Sequence, residues 1–341
     1  MTPPTAPPSA PPSAPPSART AGPAVEVRGL RRRYGALTAL DGVDLTVPAG
    51  SLTALIGPNG SGKTTTMRVL LGLDRPDAGT GAVLGHPLDR PERYLHTVGA
   101  LIEQPALYRR LDARTNLRVL AELGGIPRGR VDEVLEQVGL TAHAGRPVGG
   151  YSLGMRQRLG IAAALLPEPR LLVLDEPMNG LDPIGILQLR QLLRSLADAG
   201  ATVLVSSHQL NELDAICDRF VLMHRGRVLF QGGRAELTAS RTAVVELAPE
   251  SAADGAALHD LLSGAGYPNR HEDGLLLVEA PADVAAELNR IAAAGGVTLA
   301  HLAVRRTSVE QAFLALVTGT GPAPTAPPRP TSPTERTAVP C

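Results

Sequence analysis

Residues 57–65 read Gly57-Pro58-Asn59-Gly60-Ser61-Gly62-Lys63-Thr64-Thr65, and this stretch decides the fold of the 341-residue chain. It matches G-x-x-x-x-G-K-[ST], a glycine-rich loop whose backbone N–H groups bind phosphate at the start of a helix. Lys63 is the only lysine among the 33 lysines and arginines of the chain. A compact ammonium on a flexible stem reaches between phosphates where a planar guanidinium is too wide. The stretch therefore predicts a phosphate-binding loop, and the alternative is a glycine-rich turn.

The sequence on either side supplies the strand and the helix that such a loop requires. Residues 51–56 form an apolar run that predicts a strand leading into the loop, and residues 64–73 predict a helix leaving it. We expect the N–H groups of residues 60–65 to surround the β-phosphate at the positive end of that helix. Lys63 would bridge the β- and γ-phosphates, and the Thr64 hydroxyl would take one position around Mg²⁺.

A second predicted strand ends in two carboxylates. Residues 171–174 are a continuous apolar run, as expected for a buried parallel strand, and Asp175 and Glu176 follow it directly. A strand that ends in Asp places a carboxylate at the carboxyl edge of the sheet, beside the phosphate loop. We expect Asp175 to hold Mg²⁺ through water and Glu176 to polarise the attacking water as general base. The alternative is that the two acids cap a helix.

Composition divides the chain into two folded units and two tails. Residues 1–23 and 319–341 are rich in proline and cannot bury enough apolar surface to offset their ordering entropy, so we expect them to be disordered. Residues 24–236 alternate predicted strands and helices and indicate an α/β domain. Residues 241–317 predict a small α+β domain in which we find no catalytic constellation. Helical patterns inside the first unit cover 113–123, 130–138 and 152–166.

Charge and hydropathy exclude several classes of protein. The formal net charge is zero and aromatic residues make up 2% of the chain, so direct binding of nucleic acid is not expected. No apolar run approaches the roughly 18–20 residues that cross a bilayer, and the N-terminus does not resemble a signal peptide. Two cysteines give neither a disulfide framework nor a metal-binding spacing. We therefore expect a soluble protein unless a partner holds it at a membrane.

Further segments in a fixed order make the chain resemble the ATP-binding subunit of an ABC transporter over about 210 residues. In that family a Gln ends a strand after the phosphate loop, and Gln104 matches it. The resemblance implies that Gln104 senses Mg²⁺ and the attacking water and conveys the nucleotide state to a membrane partner. His208 matches the family's switch histidine, which contacts the γ-phosphate. Tyr34 matches the aromatic residue that stacks on adenine, and its alternative is a packed surface tyrosine.

The family's signature sequence, usually Leu-Ser-Gly-Gly-Gln, aligns with residues 151–155. Ser152 and Gly154 match it, whereas Leu153 and Met155 depart from it. The resemblance implies that this helix start faces the γ-phosphate held by the opposite subunit, while Ser152 is also a good N-cap. The two departures resemble a branch of exporters that includes bacitracin-resistance and lantibiotic-immunity transporters. Asn179-Gly180-Leu181-Asp182 matches the loop that passes between the two subunits of the family's dimer.

The resemblance implies an α/β fold, namely the P-loop NTPase core of an ABC ATPase with a helical subdomain. The small C-terminal α+β domain resembles an accessory domain of drug-exporter subunits. The implied function is ATP hydrolysis by a homodimer that clasps two ATP molecules with Mg²⁺ and drives a separate membrane permease. Such a subunit would lie at the cytoplasmic face of the cell membrane and would export a drug, an antibiotic or a peptide.

Two other functions remain open at this point. The first is a soluble ABC ATPase of translation or DNA repair, although translation-type members usually join two cores and repair-type members insert a long coiled coil. This chain has one core, and only about 110 residues separate its phosphate loop from Asp175. The second is a nucleotide-dependent regulatory module without catalysis, which the presence of both Glu176 and His208 disfavours.

Overall fold

The structure is a computed structural model that describes residues 22–103, 105–239, 243–305, 313–314 and 316–317. Gln104 and nearly all of both proline-rich tails lie outside the described residues. The described strands are β1 Val25–Tyr34, β2 Leu37–Val47, β3 Leu52–Ile56, β4 Ala78–Val83, β5 His86–Pro87, β6 Val98–Leu101, β7 Leu171–Leu174, β8 Thr202–Ser207, β9 Arg219–His224, β10 Arg227–Gly233, β11 Ala243–Pro249, β12 Asn269–Glu272, β13 Leu275–Ala280 and β14 Leu299–Arg305. The named α-helices are α1 Lys63–Leu70, α2 Ala113–Leu123, α3 Gly129–Gln137, α4 Leu153–Leu165, α5 Pro183–Asp198, α6 Leu210–Leu213, α7 Arg234–Ala239, α8 Gly255–Gly264 and α9 Ala285–Ala294.

A six-stranded sheet in the order β10-β9-β3-β8-β7-β6 carries the phosphate loop. Its strands are parallel except β10, which pairs antiparallel with β9. Every residue of β3, β7 and β8 is buried, as expected for strands covered on both faces. The phosphate loop follows β3, the two acids follow β7 and His208 follows β8. The predicted site residues therefore lie at the carboxyl edge of the sheet.

Each face of this sheet has its own apolar core, and successive residues of a strand alternate between them. Leu55 packs with the antiparallel sheet β2-β1-β4-β5 and with Met67 of α1. Its neighbours Ala54 and Ile56 pack in the second core, which α2 to α5 also line. The helix that follows the phosphate loop is therefore held between two sheets, and the predicted helical subdomain covers the opposite face.

The C-terminal unit is a four-stranded sheet in the order β12-β13-β11-β14, and α8 and α9 pack with it. Val245, Leu247 and Val278 of the sheet share a core with Leu258 and Leu288 of the helices. The α+β character predicted for this part of the chain is confirmed.

The boundary of that unit at residue 317 stays a prediction. The last described residues are helical at 313–314 and 316–317. Phe313 and Leu316 pack against the core that α2 to α5 line, rather than against the C-terminal core. The end of the described chain therefore contacts the first unit.

The helix predicted for residues 64–73 is wrong at its C-terminal end. Helix α1 begins at Lys63 and ends at Leu70. Gly72 follows with φ +66, and the N–H of Leu73 donates to the carbonyl of Arg68. This left-handed glycine reverses the chain and satisfies carbonyls of the last helical turn, so the helix stops earlier than its apolar pattern indicates.

Substitution of Tyr94 tests how much one buried hydrogen bond stabilises this fold. Its side chain is 1% exposed, and its hydroxyl donates to the carbonyl oxygen of Leu70 at 2.9 Å. Burial raises the pKa of Tyr94 to about 12, so the hydroxyl stays protonated. Tyr94→Phe leaves this carbonyl unpaired, and we expect the free energy of unfolding to fall by about 1–2 kcal/mol in urea titrations. Tyr108→Phe, at an exposed tyrosine, is the matched control and should change it by less than about 0.5 kcal/mol.

Candidate active site

Two glycines of the phosphate loop leave no room for a side chain. Gly62 has φ +105, and a Cβ there would lie 2.8 Å from the carbonyl oxygen of Ala39 and 2.9 Å from Leu40 Cδ2. A Cβ at Gly57 would lie 2.3 Å from the carbonyl oxygen of Met223. Because strands β2 and β9 approach the loop this closely, any other residue would displace it.

The start of α1 offers unpaired donors beside a buried ammonium. Within the described part of the chain, the N–H groups of residues 62–65 donate no backbone hydrogen bond. Lys63 is buried, and its Nζ donates to the carbonyl oxygen of Gly57 at 2.7 Å. Free N–H groups at the positive end of a helix, together with a cation, suit a phosphate.

Asp175 joins the ends of two strands of the central sheet, β7 and β8, to the start of helix α1. Its Oδ2 accepts a hydrogen bond of 2.6 Å from Thr64 Oγ1, at the start of α1. Its Oδ1 accepts a bond of 2.5 Å from Ser206 Oγ, near the end of β8. The same Ser206 hydroxyl accepts the N–H of Glu176 at 2.8 Å. A hydroxyl and a carboxylate side by side are the hard oxygen ligands that Mg²⁺ prefers, so these residues fit the metal that the fold implies.

Glu176 lies between a lysine and a histidine. Its Oε1 is 3.3 Å from Lys63 Nζ, and its Oε2 is 2.8 Å from His208 Nδ1. An ionised carboxylate only accepts hydrogen bonds, so Nδ1 carries the proton. Oε1 is buried and accepts no well-formed hydrogen bond from any described residue, which leaves a lone pair for a proton. Glu176 also has φ +47, a conformation that costs a non-glycine residue roughly 1 kcal/mol or more and recurs at functional sites.

The signature residues lie on a different element. Ser152 is the N-cap of α4, and its Oγ accepts the N–H of Met155 at 3.2 Å. Ser152 has no hydrogen bond or ion pair with Lys63, Asp175 or Glu176. One chain therefore gathers the phosphate loop, the acids and His208 but leaves the signature start apart from them.

Asp182 ends the loop after Glu176 and begins α5. Its Oδ1 accepts the N–H of Gly185 at 2.8 Å, so Asp182 is the N-cap of that helix. The same oxygen is 3.9 Å from Arg158 Nη2 of α4. Asp182 thus ties the loop to the signature helix as well as to α5.

Tyr34, at the end of β1, is fixed by polar neighbours. Its hydroxyl donates to Asp74 Oδ2 at 2.6 Å, and the Arg32 guanidinium lies 4.7 Å from its ring centroid. The hydrogen bond from Tyr34 and the charges of Arg68 and Arg32 hold the pKa of Asp74 below its usual range. One face of the ring is therefore covered by Arg32, and stacking of adenine stays a prediction for the other face.

Sequence reasoning missed Ser206. A serine inside an apolar strand pattern carries no motif, and only the pairing of β8 between β3 and β7 places it next to Asp175. Gln104, in contrast, was predicted but lies outside the described residues, so its role stays a prediction.

Helices long and apolar enough to cross a membrane are absent from the described parts of the chain.

Comparison with known proteins gives consistent relatives. Residues 40–179 match the family described as ABC transporter. The chain is 35% identical over 298 residues to the bacitracin transport ATP-binding protein BcrA of Bacillus licheniformis, covering 86% of this chain and 97% of that one. It is 40% identical over 207 residues to the lantibiotic transport ATP-binding protein SrtF of Streptococcus pyogenes, covering 61% and 90%. A solved ATP-binding subunit of an ABC transporter aligns with a TM-score of 0.58 at 34% identity, covering 63% and 92%.

The glycine loop, the buried lysine and the parallel sheet define a P-loop nucleotide-binding protein. The similarity to BcrA extends over nearly all of that relative. The chain therefore belongs to the family of ABC transporter ATP-binding subunits, and the resemblance read from its sequence is confirmed. Proteins of this family bind ATP, form dimers and pair with membrane permease components.

Ser206→Ala tests whether the hydroxyl between Asp175 and Glu176 positions them. We expect kcat for ATP hydrolysis to fall roughly tenfold or more, because small misplacements of reacting groups are costly, while the KM for ATP changes little. The matched control is Ser51→Ala, just before the amino end of β3 and away from the site. There a buried serine hydroxyl contacts Pro48 and Thr53. Both variants should lose similar stability, and an equal loss of kcat in both would contradict the positioning role.

Proposed function

We propose that this chain is the ATP-hydrolysing subunit of an ABC exporter and works as a homodimer with a separate membrane permease. The observation that carries the proposal is the convergence of Lys63, Asp175, Glu176 and His208 at one edge of the central sheet, with separations of 2.8 and 3.3 Å around Glu176. A regulatory module without catalysis would not require this set.

Hydrolysis follows from these positions. The oxygen of a water attacks the γ-phosphorus, the bond from that phosphorus to the β,γ-bridging oxygen breaks, and ADP leaves with the electron pair. Glu176 Oε1 accepts the proton of the water, because no described residue donates a well-formed hydrogen bond to that oxygen and Lys63 Nζ is 3.3 Å away. His208 holds the other carboxylate oxygen, and Lys63 lies within reach of both Glu176 and the loop that would hold the phosphates.

Thr64 and Asp175 would hold Mg²⁺. The ion supplies positive charge that neutralises the charge developing on the phosphate oxygens. Their own hydrogen bond of 2.6 Å keeps the two oxygen ligands together. Gln104, on the family's pattern, would add a third ligand and report the nucleotide state to the permease.

A homodimer completes the site. Ser152 and Gly154 stand at the start of α4, where N–H groups and the helix dipole favour an anion, and no hydrogen bond or ion pair between described residues joins either of them to Lys63, Asp175 or Glu176. In the proposed dimer they bind the γ-phosphate held by the partner, so bound ATP favours the closed dimer and hydrolysis removes that preference. Asp182 and its loop would lie between the two subunits, and Tyr34 would stack on adenine.

The names of the relatives support an antibiotic or peptide cargo. BcrA and SrtF are named for transport of bacitracin and lantibiotics, and a further relative is named for daunorubicin resistance. Resistance to a drug through a transporter requires removal of the drug from the cell, so we infer export. The permease, which selects the cargo, would hold this subunit at the cytoplasmic face of the membrane, and no nucleic acid is required.

Glu176→Gln tests the general base. The amide keeps the shape of the side chain but cannot take up the proton, so we expect kcat to fall by at least about 100-fold while ATP still binds. With hydrolysis blocked, ATP should drive the variant into a dimer on size-exclusion chromatography. Glu168→Gln is the matched control, because Glu168 also has a positive φ, of +49, and lies outside the site. Rapid turnover by Glu176→Gln would contradict the assignment.

Export is tested in a drug-sensitive bacterium that carries this chain together with a candidate membrane permease. We expect the pair to raise the inhibitory concentration of at least one of bacitracin, a lantibiotic or daunorubicin, because hydrolysis drives expulsion. The same pair with Glu176→Gln should give no protection. Protection that persists with this variant, or a chain that never purifies with its permease, would contradict the proposal.

A further inference from the structure

The two departures from the family's signature, Leu153 and Met155, have different positions in the structure. Met155 packs against the core that α2 to α5 line, so its side chain contributes to the stability of the helix. Leu153 is 41% exposed and does not belong to that core. Its side chain instead lies on the loop that follows Glu176.

Leu153 occupies the space that a side chain at residue 180 would need. Gly180 has φ +78, and a Cβ there would lie 2.3 Å from Leu153 Cδ2 and 2.6 Å from Leu153 Cγ. Next along the helix, a Cβ at Gly154 would lie 3.2 Å from both the carbonyl oxygen of Gly180 and Leu181 Cδ2. The first turn of α4 and the loop at Gly180 are therefore in direct contact, with Leu153 as the largest group between them.

The loop is short and tightly turned, so it transmits this contact to Glu176. The N–H of Asn179 donates to the carbonyl of Glu176, and the N–H of Leu181 donates to the carbonyl of Met178, both at 3.2 Å. These two overlapping turns leave few free dihedral angles between Glu176 and Gly180. A second, weaker contact between the end of the loop and α4 is the 3.9 Å approach of Arg158 Nη2 to Asp182 Oδ1.

We propose that Leu153 is a positioning residue that sets the carboxylate of Glu176 in its own chain through the loop at residues 177–181. This inference rests on the proposed function, because Ser152 next to it would bind the partner's γ-phosphate. Leu153 then couples nucleotide bound in one site to the general base of the other site. A signature with glycine at this position has no side chain to make that contact.

The site that slows when Leu153 is removed distinguishes this positioning role from a direct contact of the signature with ATP. Ser152 of one chain serves the nucleotide whose attacking water belongs to the partner's Glu176. If Leu153 acted only through that signature contact, its loss would slow the partner's site. If Leu153 acts through Gly180, its loss slows the site that contains Glu176 of the same chain.

Mixed dimers with two affinity tags, purified in turn, test the inference. The reference pairs an unchanged chain with Glu176→Gln, so that one active Glu176 remains. In the first test dimer Leu153→Ala is in the chain that keeps Glu176, and we expect kcat to fall roughly tenfold below the reference. In the second, Leu153→Ala is in the chain that carries Glu176→Gln, and kcat should equal the reference. Half-saturating ATP should differ by less than about threefold among all three, since binding groups are unchanged.

Two controls exclude a loss of folding. Leu120→Ala removes a leucine of similar exposure, 37%, from α2 and should leave kcat unchanged in either chain. Leu153→Met restores an apolar side chain of similar volume and should recover most of the activity lost in Leu153→Ala.

The outcomes are distinct. A kcat that falls only in the second test dimer, or in neither, overturns the positioning role even where the melting temperature drops. If the dimer of two unchanged chains does not hydrolyse ATP, or does not form, the proposed function fails and this inference fails with it, whereas a reference dimer that is inactive beside an active unchanged dimer overturns independent positioning of each Glu176 and leaves the proposed function intact. A fall confined to the first test dimer and reversed by Leu153→Met supports the inference.

Discussion

The site depends on one carboxylate, Asp175, that ties the end of β7 to the end of β8 and to the start of α1. Strand β8 lies between β3 and β7, so the hydroxyl of Ser206 reaches both the carboxylate of Asp175 and the N–H of Glu176. Hydrogen bonds of 2.6 and 2.5 Å hold Asp175 to Thr64 and to Ser206. Since these groups are largely buried, leaving any one of them unpaired would be costly, and the bonds fix the relative position of loop and acids.

The register of the parallel sheet makes this arrangement possible. Leu55 pairs with Ser206, and Leu174 pairs with Val205, so Asp175 lies level with Ser206 at the carboxyl edge. A slip of one residue in β8 would turn Ser206 to the opposite face and place Val205 or Ser207 level with the acids instead. The apolar cores on both faces oppose such a slip, because it would also exchange every buried side chain of the strand. The packing of the whole domain therefore specifies the chemistry at its edge.

The sequence predicts the parts of this site that local pattern determines. The strand before residues 57–65, the helix after them and the strand before Asp175 are confirmed, because glycine spacing and apolar runs are local signals. Strand β4 has no such signal, since Ala-Gly-Thr-Gly-Ala lacks alternation and pairs only because β1 lies beside it. The position of Ser206 beside Asp175 and the contact of Leu153 with Gly180 depend on tertiary packing, which no local sequence pattern predicts. Gln104 and both tails stay predictions.

Glu176 stands where the buried central sheet meets the loop that runs to Gly180. Its N–H is bound to Ser206 in the buried sheet, whereas its carbonyl begins the partly exposed loop that reaches Gly180. The sheet is closely packed, and Pro177 and Met178 at the start of the loop are buried, whereas Asn179 and Gly180 are exposed. The left-handed backbone of Glu176 joins the two, so a small movement of the loop changes the direction of its carboxylate before it disturbs Asp175. Movement of the loop would therefore redirect the proposed general base and leave Thr64 and Asp175, the proposed metal ligands, in place.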